Sequence, residues 1–237
     1  MTMLAIRDLD VFIQSSHILR RVTVDVAPQE VVCLVGRNGA GKSTLLRTVM
    51  GYLRPRAGSI TYKGVSMAGR PTHEIAKAGI GFAPEDSGIF ADLTVAENIA
   101  IATWTRPGGR PARERIDAAH AVFPVLRGYA DRKGPALSGG ERKMLSIARA
   151  LALDPELLLL DEPFEGLSPA IIPAVADGIA AITRRGHAIL LAESNIHHVP
   201  AFAARLYVIE RGEIIFAGRP DAAHRDAAVM GVIGGAA

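Results

Sequence analysis

The segment Gly36-Arg37-Asn38-Gly39-Ala40-Gly41-Lys42-Ser43-Thr44 limits what this chain can fold into more than any other. It fits the spacing G-x-x-x-x-G-K-[ST], which works only between a strand and a helix. The glycines let the backbone curl so that successive N–H groups face phosphate oxygens at a helix start. The flanks meet that demand. Val31–Val35 is a continuous apolar run, as in a buried parallel strand, and Lys42–Met50 opens a helical pattern. In such a cradle Lys42 bridges the β- and γ-phosphates of a nucleotide and Ser43 holds Mg²⁺.

Two further segments add to this frame. Leu157–Leu160 is wholly apolar and fits a central strand, with Asp161 and Glu162 at its carboxyl end. That is the edge where α/β sheets bind ligands. Asp161 suits a Mg²⁺ ligand acting through water, and Glu162 suits the group that polarises an attacking water. Ser138-Gly139-Gly140-Glu141 starts a helix running through Leu151. Ser138 is a good N-cap. Gly139 and Gly140 expose N–H groups at the positive helix end, which makes a second anion site. Capping alone accounts for Ser138 but not for two glycines in a first turn, where they weaken the helix.

Between these points the pattern alternates strands and helices. Met3–Phe12, Val22–Val26, Gly58–Tyr62 and Gly79–Ala83 read as strands, and Thr72–Ala78 as a helix. Thr94–Trp104, Arg113–Leu126 and Gly139–Leu153 read as helices, with the joint Arg106-Pro107-Gly108-Gly109-Arg110-Pro111 among them. Pro169–Arg184 reads as a helix and Ala188–Ala192 as a strand. Arg205–Glu210 and Glu213–Phe216 read as a hairpin around Arg211-Gly212, and a short helix ends the chain. The fold class is α/β. One domain is expected: a core of residues 1–84 and 155–237, with residues 85–154 as a helical insertion.

Composition excludes other classes. The net charge of +3 comes without a Lys/Arg run of the length a nucleic-acid or lipid patch needs. The single cysteine, Cys33, allows neither a disulfide framework nor a cysteine metal site. No apolar run approaches the roughly 18 residues that span a membrane. The start of the chain lacks the basic-then-apolar layout of a signal peptide. The expectation is a cytoplasmic chain with no nucleic-acid partner, reaching the membrane only through other subunits.

Phosphate loop, Leu137-Ser138-Gly139-Gly140-Glu141 and Leu157-Leu158-Leu159-Leu160-Asp161-Glu162-Pro163, in this order around a helical insertion, resemble the ATP-binding subunit of an ABC transporter. The resemblance covers essentially the whole chain. It implies a RecA-like P-loop NTPase core of ABC type, with an antiparallel β part and an inserted helical subdomain. It implies ATP and Mg²⁺ as cofactors. It also implies a head-to-tail dimer in which each ATP lies between one subunit's phosphate loop (Gly36, Asn38, Gly39, Ala40, Gly41, Lys42, Ser43, Thr44) and the other's Ser138, Gly139 and Gly140. Transmembrane permease subunits and a second ATPase subunit, the same or distinct, follow as partners, and a periplasmic solute-binding protein indirectly. Ser16–Arg20, Gly79–Asp86, Leu93–Asn98 and Tyr207–Gly212 resemble importers of branched-chain amino acids, or of urea and short amides. In that group Glu85 takes the glutamine-loop slot near Mg²⁺.

Three positions depart from the family pattern. Ser194 stands where most members carry a histidine that senses the γ-phosphate; His197 and His198 follow in the next helix. Ser168 replaces the aspartate of the dimer-crossing loop. The adenine-stacking aromatic falls at Ile13, while neighbouring Phe12 either lies in the core or turns inward at a bulge. Two rival classes fit less well. A soluble ABC ATPase of translation or repair carries two cassettes or a long coiled coil, and a lone P-loop kinase or GTPase has no use for the signature helix.

Overall fold

The computed structural model describes residues 2–106 and 109–233; of the joint at Arg106–Pro111, positions 107 and 108 lie outside the described residues. In chain order the elements are β1 (Leu4–Ile13), β2 (Ser16–Val26), β3 (Val31–Val35), α1 (Lys42–Val49), β4 (Ala57–Tyr62), β5 (Val65–Ser66), α2 (Thr72–Ala78), β6 (Ile80–Ala83), α3 (Val95–Ala102), α4 (Ala112–Val122), α5 (Gly139–Ala152), β7 (Leu157–Asp161), α6 (Ile172–Arg184), β8 (Ala188–Glu193), β9 (Arg205–Glu210), β10 (Glu213–Gly218), α7 (Pro220–Arg225) and α8 (Ala227–Ile233). They fall into two compact units, Met1–Ile75 with Ala188–Ala237, and Ala76–His187.

The first unit holds an antiparallel sheet in the order β2-β1-β4-β5. Its buried positions change phase along the strand. Leu4 and Ile6 face the core, then Leu9 and Val11 do. A strand alternates with period two, so the switch from even to odd numbers needs one extra residue. Asp8 is that residue, in the left-handed region at φ 43, and β1's pairing with β2 shifts register between Ile6 and Leu9. Opposite lies Gly58, where any side chain would collide with the carbonyls of Arg7 and Asp8. Bulge and glycine form one device.

In the same unit β3 runs parallel to both β8 and β9, and β10 closes antiparallel on β9. Every residue of β3 and β8 is buried, as the unbroken apolar runs require. The β9–β10 turn carries Arg211 at φ 49 and Gly212 at φ 85, two consecutive left-handed residues as in a tight hairpin. Gly212 is also tied down: its N–H donates to Ala40 O at 2.9 Å, and its carbonyl accepts from Arg20 N at 2.8 Å. The hairpin thus buttresses the phosphate loop.

The second unit pairs β6 parallel to β7 and packs α5 against α3, α4 and both strands. Leu157–Leu160 are fully buried. Asn98, itself buried, closes the segment before α3. It accepts from Phe90 N at 2.9 Å and donates to the carbonyls of Phe90, Leu93 and Thr94. Three helices are shorter than the sequence suggests, and the first covers only Val95–Ala102 of Thr94–Trp104, with Thr94 as its N-cap. The stretch Arg113–Leu126 breaks at Phe123, because Pro124 disfavours helical geometry in the residue before it; a 3-10 turn, Pro124–Tyr129, follows. The helix expected from Pro169 starts at Ile172, with Pro173 in its first turn, where a missing N–H costs no bond.

Candidate active site

The phosphate loop lies between β3 and α1 in the first unit. A side chain at Gly36 would collide with the carbonyl of Ile209, and Gly36 N donates to Glu193 O at 3.2 Å. Gly39 at φ 81 and Gly41 at φ 112 hold conformations that side chains resist. A Cβ on Gly41 would come within 2.7 Å of Leu19 Cδ2, whereas Gly39 has nothing within 4 Å. The loop is therefore pinned from behind and open in front. Ala40 N closes its turn on Arg37 O at 3.0 Å. Asn38 is exposed, and Ser43 and Thr44 are half-buried at the start of α1. No side chain caps α1 at Gly41, so an incoming phosphate would supply the acceptors there. Lys42 is buried, and its Nζ donates to Gly36 O at 2.6 Å and Arg37 O at 3.2 Å. Its ammonium thus sits inside the curl, on oxygens that a phosphate can replace. This cradle fits a nucleoside triphosphate.

At the end of β8, Glu193 is fully buried and precedes half-buried Ser194. Its carboxylate Oε2 lies 3.1 Å from His198 Nδ1. Burial, and then the charge of Glu193, push the Cys33 thiol up to about 12, so Cys33 stays neutral. His197 and His198 lie in a short 3-10 turn, Ile196–His198, capped by Asn195. Ile13, where the resemblance puts the adenine-stacking residue, is exposed. Phe12 is half-buried beside the register shift between Val11 and Phe12. Its ring stacks on His17 with centroids 4.1 Å apart, Arg56 lies 4.9 Å from its centroid, and His17 Nε2 lies 2.7 Å from Asp10 Oδ1. Phe12 is neither a core residue nor a bare platform.

The second unit carries the carboxylates. Asp161 closes β7 and is buried. Glu162 follows, also buried, with φ 47. A non-glycine residue in that region costs of order 1–3 kcal/mol and persists only where the surrounding structure holds it. The turn behind it, Glu165 N to Glu162 O at 3.2 Å, keeps it there. Glu85 is exposed just after β6, and its carbonyl accepts from Lys143 Nζ at 2.6 Å. Burial first, then the charges of Glu162 and Glu85, hold the Glu165 carboxyl above its ordinary range. Glu165 and Lys143 were not among the candidates read from the sequence. The signal for Lys143 was a lysine on the buried stripe of α5.

Start of α5: Ser138 accepts from Glu141 N at 3.3 Å, and the Glu141 carboxylate accepts from Ser138 N at 2.7 Å, a reciprocal capping box. The two glycines have different reasons. A Cβ on Gly140 would come within 2.6 Å of Ile171 Cγ2, so that glycine serves packing. Gly139 has nothing within 4 Å and faces open space. Among the described residues no group of three or more His, Cys, Asp or Glu could hold a metal ion. The hydroxyl of Ser43 in the first unit and the carboxylate of Asp161 in the second are each hard oxygen donors of the kind magnesium takes, alongside phosphate and water.

The chain is similar to known proteins over most of its length. The family model described as ABC transporter matches residues 19–165. Over 197 residues the chain is 39% identical to the high-affinity branched-chain amino acid transport ATP-binding protein BraG of Pseudomonas aeruginosa, a match covering 83% of this chain and 84% of that protein. It is 35% identical over 234 residues to the lipopolysaccharide export system ATP-binding protein LptB of Haemophilus influenzae, covering 98% and 97%. A crystal structure of an ATP-binding cassette of an ABC transporter, in its ADP conformation, superposes with a TM-score of 0.84 at 25% identity, covering all of both chains.

Proposed function

The chain belongs to the ABC transporter family as one of its ATP-binding subunits, and from that premise we propose that it drives import of branched-chain amino acids or related amino acids and amides. As a member it is an ATPase that energises a transporter, works with transmembrane permease components and forms dimers. Among the described residues no helix is long and apolar enough to cross a membrane. The proposed place of work is the inner face of the membrane, on the permeases, with a periplasmic binding protein delivering the solute.

Each candidate residue has a proposed role. Gly36, Asn38, Gly39, Ala40, Gly41 and Thr44 cradle the phosphates, and Lys42 balances their charge. Ser43, Asp161 and Glu85 serve Mg²⁺, which when bound neutralises charge on the β- and γ-oxygens. Glu162 takes up the attacking water's proton as its oxygen approaches the γ-phosphate, and the hydroxyl of Ser194 hydrogen-bonds that phosphate. Ser138, Gly139 and Gly140 meet the nucleotide of the other subunit. ATP binding then closes the head-to-tail dimer and hydrolysis reopens it. Residues 1–84 and 155–237 act as the catalytic core and 85–154 as the helical insertion; α3, α4 and α5 all lie within that insertion.

The observation that carries the substrate class is the identity to BraG, supported by the sequence Ala83-Pro84-Glu85-Asp86 after β6. The identity to LptB supports a second reading, lipopolysaccharide export. Reconstitution with the permeases separates them. Phosphate release should rise when a binding protein loaded with leucine or a short amide is added. Stimulation by lipopolysaccharide and not by the loaded binding protein would overturn the import reading.

A further inference from the structure

We propose that His198 is a positioning residue of the ATPase: hydrogen-bonded to the buried carboxylate of Glu193, it sets where Ser194 stands at the end of β8. This rests on the reading of Ser194 as the residue that meets the γ-phosphate.

Glu193 is tied on two sides. Its Cα pairs with Val35 across the parallel β3–β8 ladder, and its carbonyl accepts the N–H of Gly36, the first residue of the phosphate loop. A shift of Glu193 therefore moves the root of that loop and Ser194 together. Beyond Ser194 the chain turns straight back. Asn195 Oδ1 accepts from His197 N at 2.9 Å, Ile196 is buried, and His198 returns to place Nδ1 3.1 Å from Glu193 Oε2. Ser194 thus sits inside a short closed loop whose two ends are Glu193 and His198.

The chemistry suits a clamp. A carboxylate accepts only, so Nδ1 carries the proton in this contact. A carboxylate with no exposed surface needs paired donors to stay in place. The neighbouring Cys33 thiol keeps its proton, so it adds no second negative charge beside Glu193. His198, about a quarter exposed, supplies the donor from the far end of the loop.

The test is steady-state phosphate release by the dimer, with kcat normalised to ATP-binding sites titrated in the same preparation, so that loss of folded protein is divided out. His198→Ala should lower kcat roughly tenfold with KM for ATP unchanged, an ordinary coupling for residues in contact. His198→Asn puts an amide donor where Nδ1 stands and should restore most of the rate. His198→Gln, whose amide reaches the place of Nε2, should not. In a Glu193→Gln background, His198→Ala should add no further loss. A wild-type rate for His198→Ala, rescue by Gln and not Asn, or losses that multiply across the two positions would each overturn the clamp. Ser194→Ala, run alongside, separates the premise. If it turns over at the wild-type rate, the phosphate-facing reading of Ser194 fails whatever the His198 series shows.

Discussion

Lys42 and Glu162 show how much a single position can carry. The ammonium of Lys42 rests on two carbonyls of its own loop, at 2.6 and 3.2 Å. Those contacts preform the curl before any phosphate arrives and place the charge where the phosphates would sit. Lys42→Ala removes that charge and the prop beneath the loop together. ATP affinity measured by calorimetry should fall below detection, and unchanged affinity would falsify the phosphate-loop assignment. Glu162 is the reverse case: a buried carboxylate held in a backbone conformation that side chains resist, at φ 47. Glu162→Gln keeps the shape and removes the basic oxygen. Nucleotide binding should persist while turnover drops at least about a hundredfold, the usual contribution of a general base. A variant that hydrolyses ATP at the wild-type rate would show that another group activates the water.

Among the elements, α5 separates packing from function most cleanly. Gly140 faces Ile171 with no room for a Cβ, whereas Gly139 faces open space. Gly140→Val should cost about 1–3 kcal/mol of stability by overpacking, seen as a lower urea midpoint. Gly139→Ala should leave that midpoint unchanged or slightly raised, since alanine favours the helix and meets no neighbour, and a comparable loss at both positions would contradict the packing described here. The capping box adds a pH signature. The N–H of Ser138, donating to the carboxylate, holds Glu141 below its ordinary 4.5. Its contribution is fully present above 4.5 and is lost as pH falls through the lower folded value. On acidification the wild type should therefore lose more stability than Glu141→Gln, measured by denaturation across that range; parallel losses would remove the capping carboxylate from the account. The start of this helix, β3 and β7 were legible because each rests on a local rule: cap chemistry, or an unbroken apolar run. The bulge at Asp8 with Gly58 was not, since it needs two strands to be seen at once. Nor were the links from Lys143 to Glu85 and from His198 to Glu193, which bring together residues whose spacing follows no local pattern.

At the scale of the whole molecule, an exposed helix start has to be explained. Gly36–Ser43 already forms a complete cradle, with its own cation inside. Yet Ser138 and Gly139 stand exposed at the positive end of α5, and among the described residues no atom beyond Gly139's own neighbours and helix backbone lies within 4 Å of where its side chain would be. Packing accounts for Gly140 and capping for Ser138, so what remains is an open helix start that the chain's own fold does not use. Members of this family form dimers, and the proposed occupant of this surface is a nucleotide brought by the other subunit. Ser138→Arg tests this directly. The long side chain would fill the space proposed for the partner's γ-phosphate and would remove the N-cap, at about 1 kcal/mol. Size exclusion in the Glu162→Gln background, where hydrolysis cannot dissolve the pair, should show an ATP-dependent dimer that Ser138→Arg abolishes. Calorimetry on the isolated subunit should show ATP affinity nearly intact. An equal loss of binding by the lone subunit would mean that α5 serves its own nucleotide, and the reason for pairing would have to be sought elsewhere on the surface.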